Sequence, residues 1–219
     1  MTFTPTTPEM RAAAADTAVV TASSHWPEPG SPYAKLIEAE RHATRLTYIG
    51  AIPGVLLDME AVADRDATRG LDPVTRPRNH RLLVCRQELS QARLATGELE
   101  TTLFLGRGFL TAMDQATPQR AAAQAEQLLE AIDAGWDIRV APTECLELAL
   151  PPHTYNIVLA GDPAAPDGVY WEAADSSMEP HETWHADGWP IGRAARIYTA
   201  VSAMALDAAS SRTLIEAQR

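Results

Sequence analysis

Residues 154–172 read TYNIVLAGDPAAPDGVYWE, and this stretch decides the fold class. Residues 154–160 (TYNIVLA) combine β-branched and aromatic side chains, the composition of a strand. Gly161, Asp162 and Pro163 then break the run with turn-forming residues. Residues 168–172 (GVYWE) resume a strand. Two strands joined by a short Pro/Gly/Asp connection predict an antiparallel hairpin. Upstream, residues 101–105 (TTLFL) and 137–141 (DIRVA) are two further strands, the second stopped by Pro142. Strands therefore gather in the second half of the chain.

Helical spacing surrounds them. Over residues 33–46, Leu36, Ile37 and Ala43 alternate with Glu38, Glu40, Arg41 and Arg45 in the manner of an amphipathic helix. Pro53 and Gly54 interrupt the chain before a second helix at 55–63, and 66–78 reads as a loop. A third helix, 77–95, carries Leu82, Leu83, Cys85, Leu89 and Leu94 and ends at Gly97. Thr117 with Pro118 opens a helix that Gly135 closes. Residues 191–204 form a C-terminal helix, and a last short one starts near Ala208. This order predicts an α+β fold with N-terminal helices, a mostly antiparallel sheet in the second half and C-terminal helices. Residues 1–30, rich in Thr, Ala, Pro and Ser, read as a flexible arm, and 31–219 as a single domain.

Composition bounds the function. The chain has 219 residues, 46% of them hydrophobic, enough for one sizeable core. Its net charge is −11, and binding a polyanion requires a basic face. The densest basic run (Arg65, Arg69, Arg76, Arg78, Arg81, Arg86 and Arg93) is diluted by Asp66, Asp72 and Glu88 and lacks interleaved aromatics. It reads as a solvated, salt-bridged helical surface, and no direct nucleic-acid partner is expected. Cys85 and Cys145 lack the spacing of a disulfide framework or zinc knuckle, and Cys85 reads as a small buried hydrophobe. The N-terminus has no signal-peptide pattern and no apolar run is long enough for a bilayer, so a cytoplasmic protein without membrane contact is expected.

The sharpest motif is His181-Glu182-Thr183-Trp184-His185. On a helix, His181 and His185 would share a face and bind zinc while Glu182 served as general base. Pro180, Asp187, Gly188 and Pro190 leave no room for a long helix there. In an extended chain the two imidazoles share a face but stand too far apart for one ion. A polar loop and no cofactor are expected, with zinc as the alternative. A broader cluster runs from Trp171 to Trp189 and holds three of the five tryptophans together with Glu172, Asp175, Glu179, Glu182, His185 and Asp187. Aromatic faces beside carboxylates suit a cationic or aromatic small molecule. The plainer alternative has the tryptophans packed on the sheet and the acids facing water. Arg107, between Gly106 and Gly108 at a strand end, either clamps a carboxylate or simply turns the chain.

Six segments, in order, carry a resemblance. They are Ile52-Pro53-Gly54-Val55-Leu56, residues 81–89 (RLLVCRQEL), residues 101–110, the pair 123–129 and 138–142, residues 169–172 (VYWE), and residues 205–215 ending in Ser210-Ser211-Arg212-Thr213-Leu214-Ile215. Together they resemble the C-terminal domain of unknown function in actinobacterial Scr-type, antitoxin-like regulators of the Xre family. In those regulators a helix-turn-helix precedes the domain; the residues before position 31 are too few for one. Leu57-Asp58 stand where the family has Gln-Thr, Ala61 where it has Tyr, and Arg107 where Glu follows the strand. The resemblance implies a stand-alone sensor or effector domain that binds a small molecule or a small protein and does not bind DNA itself. Two alternatives stay open: an enzyme of specialised metabolism (cyclase, lyase or isomerase) and an antitoxin-like protein partner. A homodimer also stays open. The candidate residues are Glu172 and Glu182 for acid/base chemistry, Arg107, Trp171, Trp184, His185 and Asp58 for a ligand, and His181 with His185 for a metal.

Overall fold

A computed structural model describes residues 30–57, 75–106, 117–142, 154–174 and 180–219. The flexible arm, most of the 55–63 helix and most of the 66–78 loop expected from the sequence lie outside the described residues. So do Asp58 and Arg107.

Helix α1 (Pro32–His42) starts where Ser31 accepts a hydrogen bond from the Ala34 N–H at 3.2 Å, with Pro32 in the first turn. Strand β1 (Arg45–Gly50) follows, then a 3-10 turn (Gly54–Leu56). Helix α2 (Thr75–Ala95) leads to β2 (Glu100–Gly106), and α3 (Pro118–Asp133) leads to β3 (Asp137–Ala141). Strands β4 (Thr154–Asp162), β5 (Ala165–Ala174) and β6 (Pro180–His185) come next. Helices α4 (Trp189–Met204) and α5 (Ala208–Glu216) end the chain.

The fold is α+β. Among the described residues six strands form one sheet in the order β3-β2-β1-β4-β5-β6. The β1–β4, β4–β5 and β5–β6 pairings are antiparallel, and β1–β2 and β2–β3 are parallel. The expected hairpin is β4–β5. The parallel half was not expected, because the stretch 33–46 read as continuous helix. In fact α1 stops at His42, and RLTYIG forms the central strand β1. This strand is covered on both faces, so five of its six residues are buried and no polar/apolar alternation marks it. With β1 in place, α2 and α3 become crossover connections between parallel strands.

One sheet face (Leu46, Tyr48, Leu103, Val158, Tyr170) packs under α1, α3 and α5, with Leu128, Leu129 and Ile215 closing the core. The other (Ile49, Phe104, Ile157, Val169, Trp171) packs against Ala194, Ile197 and Val201 of α4. Edge strand β3 is sealed by the C-terminal segment. The Val140 N–H donates to Ser211 Oγ at 2.9 Å, and the Leu206 N–H donates to the Val140 carbonyl at 2.9 Å. Ser211→Ala strands a buried N–H and is expected to destabilise the protein by about 1–3 kcal/mol in urea unfolding. An unchanged midpoint would show that the seal contributes nothing.

Candidate functional site

Strand pairing aligns one row of residues across the sheet: Val140, Leu105, Gly50, Asn156, Glu172 and Glu182. The row lies at the carboxyl ends of the parallel strands, and its character changes from apolar to acidic at Gly50. In the acidic half, Asn156 Nδ2 donates to Glu172 Oε2 at 3.1 Å, while Asn156 Oδ1 is buried without a hydrogen-bond partner. Glu172 and Glu182 stand directly opposite each other on β5 and β6. The next row on the same face carries Tyr48, Val158, Tyr170 and Trp184. Burial raises the Tyr170 phenol far above its ordinary range, and the Glu182 and Glu172 carboxylates push it further. The phenol is therefore held neutral.

Beneath α1 lies a second polar group that composition alone does not reveal. Arg86 of α2 donates from Nε to Glu40 Oε2 at 2.6 Å and from Nη2 to Glu40 Oε1 at 2.5 Å, a two-point pairing. Its Nη1 donates to the Tyr33 hydroxyl at 2.5 Å, and the Tyr48 hydroxyl donates to Glu40 Oε1 at 3.1 Å. Arg86 and Glu40 expose only 5% and 2% of their side chains. Burial works against the arginine's charge, but the Glu40 carboxylate overrides it and holds the guanidinium protonated. Burial also raises the Tyr48 phenol well above its usual value. Arg93, farther along α2, donates to the Glu40 and Ala43 carbonyls at 2.5 and 2.6 Å and so caps the end of α1. The basic run reads from the sequence as a solvated, salt-bridged surface; Arg86 is salt-bridged but buried, which corrects the solvated part of that reading. Arg86 follows Leu82 and Leu83 at helical spacing, which puts it on the inward face.

The residues expected to form one site are divided between two faces. Glu172, Glu182 and Trp184 share the face of Tyr170. Trp171, Thr183 and His185 lie on the opposite face, beside α4. Trp171 packs into the core there, with its indole Nε1 buried and unpartnered. His185 Nε2 sits 3.2 Å from Thr183 Oγ1. The Trp184 indole lies over Gly168, where any added Cβ would strike it. His181-Glu182-Thr183-Trp184-His185 is neither a helix nor a loop; it is the body of edge strand β6. His181 and His185 are thus about 13 Å apart along the strand, at ~3.3 Å per residue. The helical zinc geometry does not form. Among the described residues, no group of three or more His, Cys, Asp or Glu side chains is placed to hold a metal.

The sequence profile of a family described as a domain of unknown function (DUF5753) matches residues 33–217. The chain belongs to that family. No curated protein and no solved structure matches it. Several segments that carried the resemblance have structural work in this DUF5753 chain. Next to Arg86, Gln87 donates from Nε2 to the Leu57 carbonyl at 3.2 Å, and Gln124 of α3 donates to the Leu56 carbonyl at 2.9 Å. Two glutamines thereby pin the turn that follows β1. Ser211 seals β3, as described above.

Two outcomes test this geometry. Arg86→Met leaves Glu40 buried and alone and is expected to cost about 3–5 kcal/mol, most of it recovered in the Arg86→Met/Glu40→Leu double variant. No recovery in calorimetric or urea unfolding would show that the pair is not the source of the cost. Gly168→Ala is expected to destabilise by about 1–3 kcal/mol through collision with the indole. Adding Trp184→Leu should remove most of that loss; simple additivity of the two changes would mean that the ring is not seated on Gly168.

Proposed function

We propose that this DUF5753 domain is a binding module for a small organic cation, an amine or guanidinium, held at Asn156, Glu172 and Glu182 with Tyr170 and Trp184 alongside. The observation that carries this reading is the buried, unpartnered Asn156 Oδ1 beside two facing carboxylates. A buried acceptor without a donor costs free energy. A cationic ligand supplies that donor, and the flanking carboxylates and an aromatic neighbour add to its attraction.

The row lies at the carboxyl ends of β1 and β2, where β1 has β2 on one side and β4 on the other. The resemblance to the C-terminal domains of actinobacterial Scr-type regulators supports a sensing role for the bound cation rather than direct contact with DNA.

Thermal unfolding with a panel of polyamines, guanidines and basic amino acids, set against matched carboxylates, tests the reading. At a hundredfold excess over its dissociation constant, a cation that binds only the folded state adds about 2.7 kcal/mol. Glu172→Gln, Glu182→Gln and Asn156→Leu should each weaken that gain. A panel in which no cation binds, or in which binding is indifferent to all three substitutions, would sink the proposal. Chemical conversion of a bound cation, lost in Glu172→Gln or Glu182→Gln, would move the reading to acid/base catalysis.

A further inference from the structure

Helix α4 buries Ala194, Ile197 and Val201 against the sheet and leaves another stripe open. Trp189, Arg193, Arg196, Ala200 and Met204 follow one another at helical spacing. Trp189 is 70% exposed and Met204 48% exposed, the most exposed large apolar side chains among the described residues. The Arg193 guanidinium sits over the Trp189 ring, 5.6 Å from its centroid. With Arg196, Ile197 and Ala200 these two residues line a shallow concavity of about 410 Å³. Other arginines hold carboxylates: Arg45 holds Glu100, Arg139 holds Asp137, and Arg212 holds Asp133 and Glu216. Among the described residues, no carboxylate lies within ion-pairing distance of Arg193 or Arg196.

Exposed Trp and Arg together are the side chains from which tight protein contacts are most often built. We infer that this stripe of α4 docks an acidic segment of a different protein. Carboxylates of that segment meet Arg193 and Arg196, and its apolar side chains cover Trp189 and Met204.

Charge selects the occupant. In a two-fold antiparallel pairing of α4 with its own copy, Arg196 lies at the middle of the helix and meets itself, an unfavourable like-charge contact. The net charge of −11 opposes nucleic acid or an anionic membrane as the occupant. The same net charge repels a short acidic protein segment far less than a polyanion or a charged membrane, and its carboxylates pair locally with the two guanidiniums of Arg193 and Arg196. The surface lies on the opposite side of the sheet from the Asn156–Glu172–Glu182 row, so this proposal stands or falls independently of the cation site.

The test is photo-crosslinking in cells of the source organism, with p-benzoylphenylalanine at position 189 of the full chain and sequencing of the crosslinked peptide. The expected result is one peptide from another protein with Asp or Glu flanking the crosslinked residue. The crosslink should be lost in the Arg193→Glu/Arg196→Glu variant and regained when the partner's acids are changed to arginine. With the purified pair, the double reversal should weaken binding by at least ~10-fold. Both substituted positions lie on the stripe outside the core, so unchanged thermal unfolding of the variant separates lost docking from lost folding. A crosslink to a second copy, to residues 1–29 of the same chain or to nucleic acid overturns the proposal. So does the absence of any crosslink, or an acidic partner whose binding survives the double reversal.

Discussion

Arg86 and Glu40 are both almost wholly removed from water, and removing either leaves the other as a buried charge without its counter-charge. Their pairing fixes how α1 and α2 sit against each other over the sheet. Tyr33 and Tyr48 complete the group, so the ends of α1, the middle of α2 and the central strand meet at one point. Ile37, Leu82 and Cys85 pack beside it. Arg93, two turns along α2, then holds the end of α1 by its carbonyls and sets where β1 begins. The position of β1 fixes both halves of the sheet, because β1 alone pairs with a parallel neighbour on one side and an antiparallel one on the other.

The row from Val140 to Glu182 shows what that arrangement places together. On its apolar side it belongs to the core under α3. Beyond Gly50 it turns acidic, and the buried oxygen of Asn156 marks the change. The phenols of Tyr48 and Tyr170 stay neutral through burial. The other face of the sheet serves α4, which presents Trp189 and two arginines outward. Two chemically opposite surfaces thus share one sheet, one acceptor-rich and one donor-rich.

Much of the fold is legible in the sequence wherever a single face is buried. Strand β3 and helices α3, α4 and α5 follow from local spacing and turn residues, because each has one polar side to set the rhythm. Strand β1 does not, because both of its faces are covered and its short apolar run sits directly behind a helix. Its Thr47, Tyr48 and Ile49 are strand formers and are the signal that was available. The site is less legible. Proximity in sequence joined Trp171, Glu172, Glu182, Trp184 and His185, yet strand alternation sends neighbours to opposite faces. The polar group that does assemble joins Tyr33, Glu40 and Tyr48, which are close in sequence, to Arg86, which lies 46 residues beyond Glu40. Arg86 was disguised because charge on a helix ordinarily means solvent.

The closure of β3 by Ser211 also has a meaning for the order in which the molecule can be made. Residues 71 positions apart must meet before the Val140 N–H has its partner. Arg45 at the start of β1 likewise finds Glu100 only 55 residues later. A chain emerging from the ribosome therefore holds its first three strands with one border bare until the final helix is released. Local helices can form early, but the sheet is a late, long-range event. The segment from Leu206 to Ser211 acts as a latch, and until it is in place that border is open to pairing with another chain.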